Sequence, residues 1–170
     1  MSHVEEGAEI DDERVESFVV FQLGGESYAL EVVRVHEVLD AAALSRVPGG
    51  ARALVGLYNL RGHVVPVWDL RVPFGLPPAG PVEAEARAHC VLMVESPGQR
   101  SAKVCGLLVD RVSDVLEFLP EDLQPVPSLG LGKVSPFVRG LFRHQDHFLL
   151  VLELDRIFAA LAQESGGDGA

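Results

Sequence analysis

The chain carries two blocks of sequence twice, in the same order. Tyr28 to Leu39 (YALEVVRVHEVL) lines up with Cys105 to Leu116 (CGLLVDRVSDVL), so that Leu30 meets Leu107, Val32 meets Val109, Arg34 meets Arg111, and Glu37 meets Asp114. Downstream, Gly56-Leu57-Tyr58 matches Gly140-Leu141-Phe142, and His63 to Leu70 matches His147 to Leu154 in apolar character, with Asp69 and Glu153 at the same place. Duplicated blocks of this length predict two similar five-strand units packed about a pseudo-twofold axis.

The spaces between the blocks read as strands and turns. Ser17 to Leu23 alternates as a strand, Gly24-Gly25-Glu26 makes a hairpin turn, and Tyr28 to Val33 returns. Val32 to Leu39 suits either a short helix or a bent strand, and Ala41 to Ala53 reads as a loop. Val55 to Arg71 is two strand-like runs around an Asn59-Leu60-Arg61-Gly62 corner. Alternation puts His63, Val65, Val67 and Asp69 on one face and Val64, Pro66, Trp68 and Leu70 on the other. Phe74 to Arg87, rich in Pro, Gly and Ala, reads as the linker between the units. His89 to Glu95 and Ala102 to Val109 form a hairpin across Ser96-Pro97-Gly98-Gln99, and Pro120 to Pro136 reads as a long loop. Val138 to Phe142 and His147 to Leu154 pair, and a terminal helix over residues 155–163 follows with Asp155 as N-cap. The reading is an all-β fold with short helices: residues 1–16 a disordered acidic tail, 17–161 the domain, and 164–170 a flexible tail. The domain divides into subdomains of about 17–80 and 88–154.

An arginine between a leucine and a turn glycine is an odd choice for packing alone, so the corner is expected to present Arg61 to a partner. Composition narrows the partner. A net charge of -11 argues against nucleic acid, whose phosphates need a basic surface. Cys90 and Cys105, the two cysteines, each sit in an apolar run, as buried intracellular thiols do, and not at zinc-site spacing. No apolar run approaches the roughly 18 residues of a membrane span and no apolar leader is seen, so a soluble, cytoplasmic protein without membrane insertion is expected.

These segments together resemble the CheW family of bacterial chemotaxis coupling proteins. The resemblance rests on Phe18-Val19-Val20-Phe21 with Gly24, on Val35-His36-Glu37-Val38, on Asn59-Leu60-Arg61-Gly62 with Val65-Pro66 and Asp69-Leu70-Arg71, and on Val109 to Val115. It implies two SH3-like five-stranded β-barrels on a common core. It also implies a non-catalytic adaptor, without cofactor or metal, that joins the cytoplasmic tip of methyl-accepting chemoreceptors to the regulatory domain of the histidine kinase CheA. Carried over by position, the receptor site would use Val35, Glu37, Gly56, Asn59 and Arg61, with Cys90 and Val91 on the facing strand; kinase contacts are not assigned to individual residues. Cys90 replaces a β-branched residue common in the family, and His89 a small polar one. A receptor tip is a helical hairpin, so an apolar groove with a few charges fixing register is its natural site.

Plainer readings compete. Arg61 could close a surface ion pair with Glu37 or Asp69. Asp69 and Arg71 suit a turn-stabilising role, and Asp110 and Ser113 a role in satisfying backbone groups. Gly130-Leu131-Gly132-Lys133 lacks the first glycine and the final Ser or Thr of a phosphate loop. Arg143 to His147 lacks further metal ligands, and Gly25 to Ala29 lies between strands, where a nucleophile elbow does not form. An adaptor of a type IV pilus or other chemosensory pathway is the nearest alternative. A small β-barrel hydrolase or ligand binder is the rival from another class; it would need a convergent polar pocket, whereas an adaptor needs an open apolar groove with Arg61 at its rim.

Overall fold

The computed structural model of the chain describes residues 14–47, 49, 51–77, 89–96, 103–127 and 130–168. The first half holds β1 (Glu16–Leu23), β2 (Glu26–Glu31), a 3-10 turn over Val32–Arg34, and β3 (Val35–Asp40). It continues through β4 (Ser45–Arg46), β5 (Leu54–Leu60), β6 (His63–Asp69) and a single-turn helix, α1 (Arg71–Phe74). The second half runs β7 (Cys90–Ser96), β8 (Lys103–Val109), β9 (Arg111–Phe118), 3-10 turns at Pro120–Asp122 and Gly132–Phe137, β10 (Val138–His144), β11 (His147–Leu152) and helix α2 (Leu154–Asp168).

The strands form two sheets, ordered β10-β11-β2-β1-β9 and β3-β7-β8-β6-β5-β4. Exchanging β1 with β7, β2 with β8, β3 with β9, β5 with β10 and β6 with β11 converts the first order into the second, with β4 added at its end. The pseudo-twofold of the sequence is therefore present in the topology. It extends to register. Val67 pairs with Gly106 where Val151 pairs with Ala29, and register shifts fall between Leu54 and Gly56 and between Val138 and Gly140. The counterpart of the Ser45↔Leu57 pairing is an isolated bridge from Gln124 to Leu141.

The sheets do not follow the sequence halves. β11 of the second half adds to β2 in parallel, and β6 of the first half adds to β8. Each sheet therefore mixes strands from residues 17–80 with strands from 88–154, and neither stretch forms a barrel by itself. This exchange buries both faces of the central strands. On β1, Phe18 and Val20 point into a core enclosed by the first sheet, with Ala29, Phe142, Leu149 and Val151. Val19, Phe21 and Leu23 point the other way, into a larger core that takes in Leu92, Val94, Leu107 and Val109 of the second sheet.

Several local expectations are corrected by packing. Phe74, placed at the start of the linker, is buried and stacks on Phe137, ring centroids 5.5 Å apart; residues 78–87 of that linker lie outside the described residues. The loop from Ala41 to Ala53 contains β4 and a 3-10 turn capped by Asp40, whose Oδ1 accepts from the Ala42 N–H at 2.8 Å. The ambiguous Val32 to Leu39 stretch is a 3-10 turn followed by β3. Asp155 lies within the first turn of α2, one residue past its start, and instead of capping it accepts from Arg34 Nη2 at 2.9 Å. The helix also runs beyond residue 163, to Asp168. Residues 1–13 of the acidic tail lie outside the described residues, and β1 begins at Glu16.

Candidate functional site

The corner forms because two residues accept left-handed backbone. Arg61 has φ 51° and Gly62 φ 86°, the sign that a two-residue hairpin turn of type I′ requires. Asn59 Oδ1 accepts from the Gly62 N–H at 3.0 Å and pins the turn. The matching hairpin of the second half has Gln145 at positive φ too, 55°, so the first turn position keeps its backbone sign while its side chain, and the second position, differ.

Arg61 does not project alone. Its guanidinium forks onto Glu37 of β3, Nη1 to Oε2 at 2.9 Å and Nη2 to Oε1 at 3.3 Å. This hydrogen bonding, and then the charge of Glu37, raises Arg61 further above its ordinary pKa. The arginine side chain is 71% exposed and that of Glu37 27%. Together with the Tyr58 hydroxyl, which donates to the Asp40 carbonyl at 3.4 Å, the fork ties the β5–β6 hairpin to β3 across the open side of the sheet. The plainer reading of Arg61 as one half of an ion pair thus has its partner in Glu37. Asp69 instead accepts the backbone N–H of Arg71 at 2.9 Å.

The seven residues implied by the family resemblance divide in two. Arg61 and Asn59 are exposed on the corner, while Glu37, Val35 and Cys90 are half-buried on β3 and β7, with Cys90 facing Asp40 in the ladder. Val91 has no exposed surface, and Gly56 is buried beneath β4. Neither is exposed on that face, and both lie behind the residues that are. His89 is likewise buried, its Nε2 3.6 Å from Asp110 Oδ1. Asp110 also accepts from Arg71 Nη2 at 2.5 Å and from the Gly24 N–H at 3.0 Å, and Ser113 donates to the Val20 carbonyl at 3.3 Å. Asp110, Ser113 and Arg71 therefore join the first hairpin to the β8–β9 corner.

Beside Arg61 opens a groove of about 710 Å³. Val64, Pro66 and Trp68, the outward face of β6, line one side, and Phe158 and Leu161 of α2 the other, with Cys105 of β8 between. The rim carries Arg61, His63 and Lys103. Sequence reasoning placed Val64, Pro66 and Trp68 on one face but missed the groove, because its walls come from three segments far apart in the chain. Val64 at 67% and its repeat counterpart Phe148 at 50% are large apolar side chains left in solvent, as are the matched pair Val38 and Val115. That matched exposure could have been found by asking which aligned apolar positions fall on the outward side of both copies.

Cys105 and Tyr28 occupy matching positions, and burial pushes both up to about 12, with Glu26 adding to the rise at Tyr28 and Ser96 opposing it at Cys105. Both hold protons more tightly folded than unfolded. The stability they add is complete below pH 9, where the thiol's ordinary value of 9.0 lies, and is lost as pH rises toward 12. Thermal melts followed by circular dichroism should show a falling melting temperature from pH 9 upward. Burial therefore both hides the Cys105 thiol and keeps it protonated, whereas Cys90 is half-exposed. Iodoacetamide should label Cys90 faster than Cys105, as mass spectrometry of the digest will read.

Among the described residues no group of three His, Cys, Asp or Glu is placed to hold a metal ion, and no helix is long and apolar enough to cross a membrane. A family model described as the CheW-like domain matches residues 17–162. The chain is 30% identical over 147 residues to "Probable chemotaxis protein CheW" of Rhizobium etli, covering 86% of this chain and 90% of that one. It is 28% identical over 168 residues to the protein PilI of Pseudomonas aeruginosa, covering 94% and 84%. The solved scaffolding protein TtCheW of Thermoanaerobacter tengcongensis superposes with a TM-score of 0.70 at 29% identity, over 84% of this chain and 87% of that one.

Proposed function

Because the chain belongs to the CheW family of chemotaxis scaffolds, we propose that it is a non-catalytic adaptor joining chemoreceptor tips to the regulatory domain of CheA in the cytoplasm. The observation that carries the receptor half is the open apolar groove with Arg61 at its rim, the feature an adaptor needs and a β-barrel hydrolase does not. A helical hairpin laid along Val35, Glu37, Asn59 and Arg61 would place apolar side chains against Val64 and Trp68 and a carboxylate near the cationic rim. The kinase half draws on the repeat. Val115 and Phe148 are exposed apolar residues of the second half, away from that groove, and suit a partner domain of similar build.

Val64→Asp tests the receptor half, since Val64 is exposed and its loss leaves the core intact. In co-sedimentation with a receptor cytoplasmic fragment and CheA, this variant should lose receptor while still binding kinase. Equal receptor recovery by variant and parent would exclude the groove as the receptor site. The likeness to PilI favours a second reading, the same adaptor chemistry in another chemosensory pathway. Pull-down with the receptors and kinases encoded beside the gene separates the two.

A further inference from the structure

We propose that the acidic N-terminal segment, residues 1–13, docks in the groove between β6 and α2. The groove has an apolar floor and a rim of Arg61, His63 and Lys103, and among the described residues no acid lines it, on a chain whose net charge is -11. The segment supplies the complement: Glu5, Glu6, Glu9, Asp11, Asp12 and Glu13, with Val4 and Ile10 as apolar anchors and no Lys or Arg. Arg61 already shares its charge with Glu37, so Lys103, which has no ion pair among the described residues, is the principal attractor.

A matching groove of about 830 Å³ lies over the other parallel strand pair, β2 and β11, and shows why the segment would choose the first. There Glu26 stands where Lys103 does, and Asp146 lies at the matching corner, so an acidic segment is repelled. The repeat has kept the apolar trough and inverted its rim.

Reach is sufficient. The segment leaves at Arg14, which pairs with Glu121, just before β1 opens with Glu16 beside Phe118; two residues on, Phe18 pairs with Glu31, the 3-10 turn that follows Glu31 bonds through Arg34 to the Glu95 carbonyl, and Ser96 lines the groove. Thirteen residues extend to about 45 Å, against a diameter of about 39 Å for a sphere with the radius of gyration of about 15 Å expected for a chain of this size. A tethered segment acts at high effective concentration, so weak contacts suffice. Docked, it would compete with a receptor hairpin for the groove; this consequence, unlike the docking, rests on the function proposed above.

Trp68, the single tryptophan, lies in the groove and reports occupancy directly. The experiment compares the full chain with a full-length variant in which the six acids are changed to Gln or Asn. Neutralisation should move Trp68 emission to longer wavelength and raise acrylamide quenching, and salt should do the same to the parent by screening. Lys103→Glu should reproduce the shift in the parent and add nothing in the neutralised chain, as a shared interaction requires. Identical Trp68 emission and quenching in parent and neutralised chain would overturn the docking, as would a Lys103→Glu shift of equal size in both. Receptor co-sedimentation forms the second arm. Neutralisation should increase receptor recovered; a Trp68 response without that increase would overturn the competition while supporting the docking.

Discussion

Replacing Gly56 with alanine is expected to lower the melting temperature by about 10 °C, a loss of ~3 kcal/mol, because the buried residue has no room for a side chain. A Cβ at this position would sit 2.1 Å from the Ser45 carbonyl oxygen, 2.9 Å from its carbon and 3.0 Å from Arg46 Cα. All three are backbone atoms of β4, so no rotamer change relieves the overlap. The strand must move away, giving up its pairing of Ser45 with Leu57 and Arg46 with Gly56. Receptor binding should weaken as well, because β5 leads directly into the corner that holds Arg61. Scanning calorimetry and co-sedimentation well below the melting temperature separate the two effects. A Gly56→Ala protein that melts like the parent but fails to bind would mean that the glycine meets the partner directly, and would sink the packing account. Gly140, the repeat counterpart, should be milder: its Cβ would meet the Leu123 side chain, which can move, as well as the Gln124 carbonyl at 2.8 Å.

Gly56 also marks the boundary of what the residues reveal by themselves. The duplication was legible because both copies keep the same apolar pattern, the same glycine before the hairpin and the same positive-φ corner at Arg61 and Gln145. That sameness hides the strand exchange. β6 and β11 have equivalent patterns, so periodicity does not tell which of β2 or β8 each will join, and closing a barrel within one half looks as good as crossing to the other. Val91 and Gly56 matched a receptor-contact pattern by position, yet both-face burial of β7 and the close pairing of β4 with β5 are properties of the assembled sheets. Phe74 was lost in a proline-rich stretch because its partners, Tyr28 and Phe137, lie 46 residues before and 63 after it in the chain. The ion pair of Arg61 was legible only as one of two options, Glu37 or Asp69, since the choice depends on how the sheet curls to bring β3 beside the hairpin.

Reversing the charge of Arg61 should leave the fold intact and cost receptor affinity by a factor of at least about ten, the effect of losing one charge-assisted contact and gaining a repulsion. The guanidinium is a surface group, so its loss should not register in the melting temperature. Loss of binding alone, however, does not distinguish two mechanisms. Arg61 could grip a receptor carboxylate itself, or it could serve by holding β3 and the hairpin together through Glu37. In the single variant Arg61→Glu two carboxylates face each other across the gap now closed by hydrogen bonds of 2.9 and 3.3 Å, so both mechanisms fail together. The exchange Arg61→Glu with Glu37→Arg separates them. It restores the fork with its polarity inverted, and with it the closure of β3 on the corner, but it moves the positive charge from the exposed tip to the half-buried strand. If Arg61 meets the receptor, the exchanged protein should bind as poorly as the single variant, and a receptor tip carrying the complementary reversal of its own carboxylate should recover it. If the exchanged protein binds the unmodified receptor as well as the parent does, the arginine is a strut and the receptor is read by the apolar groove alone.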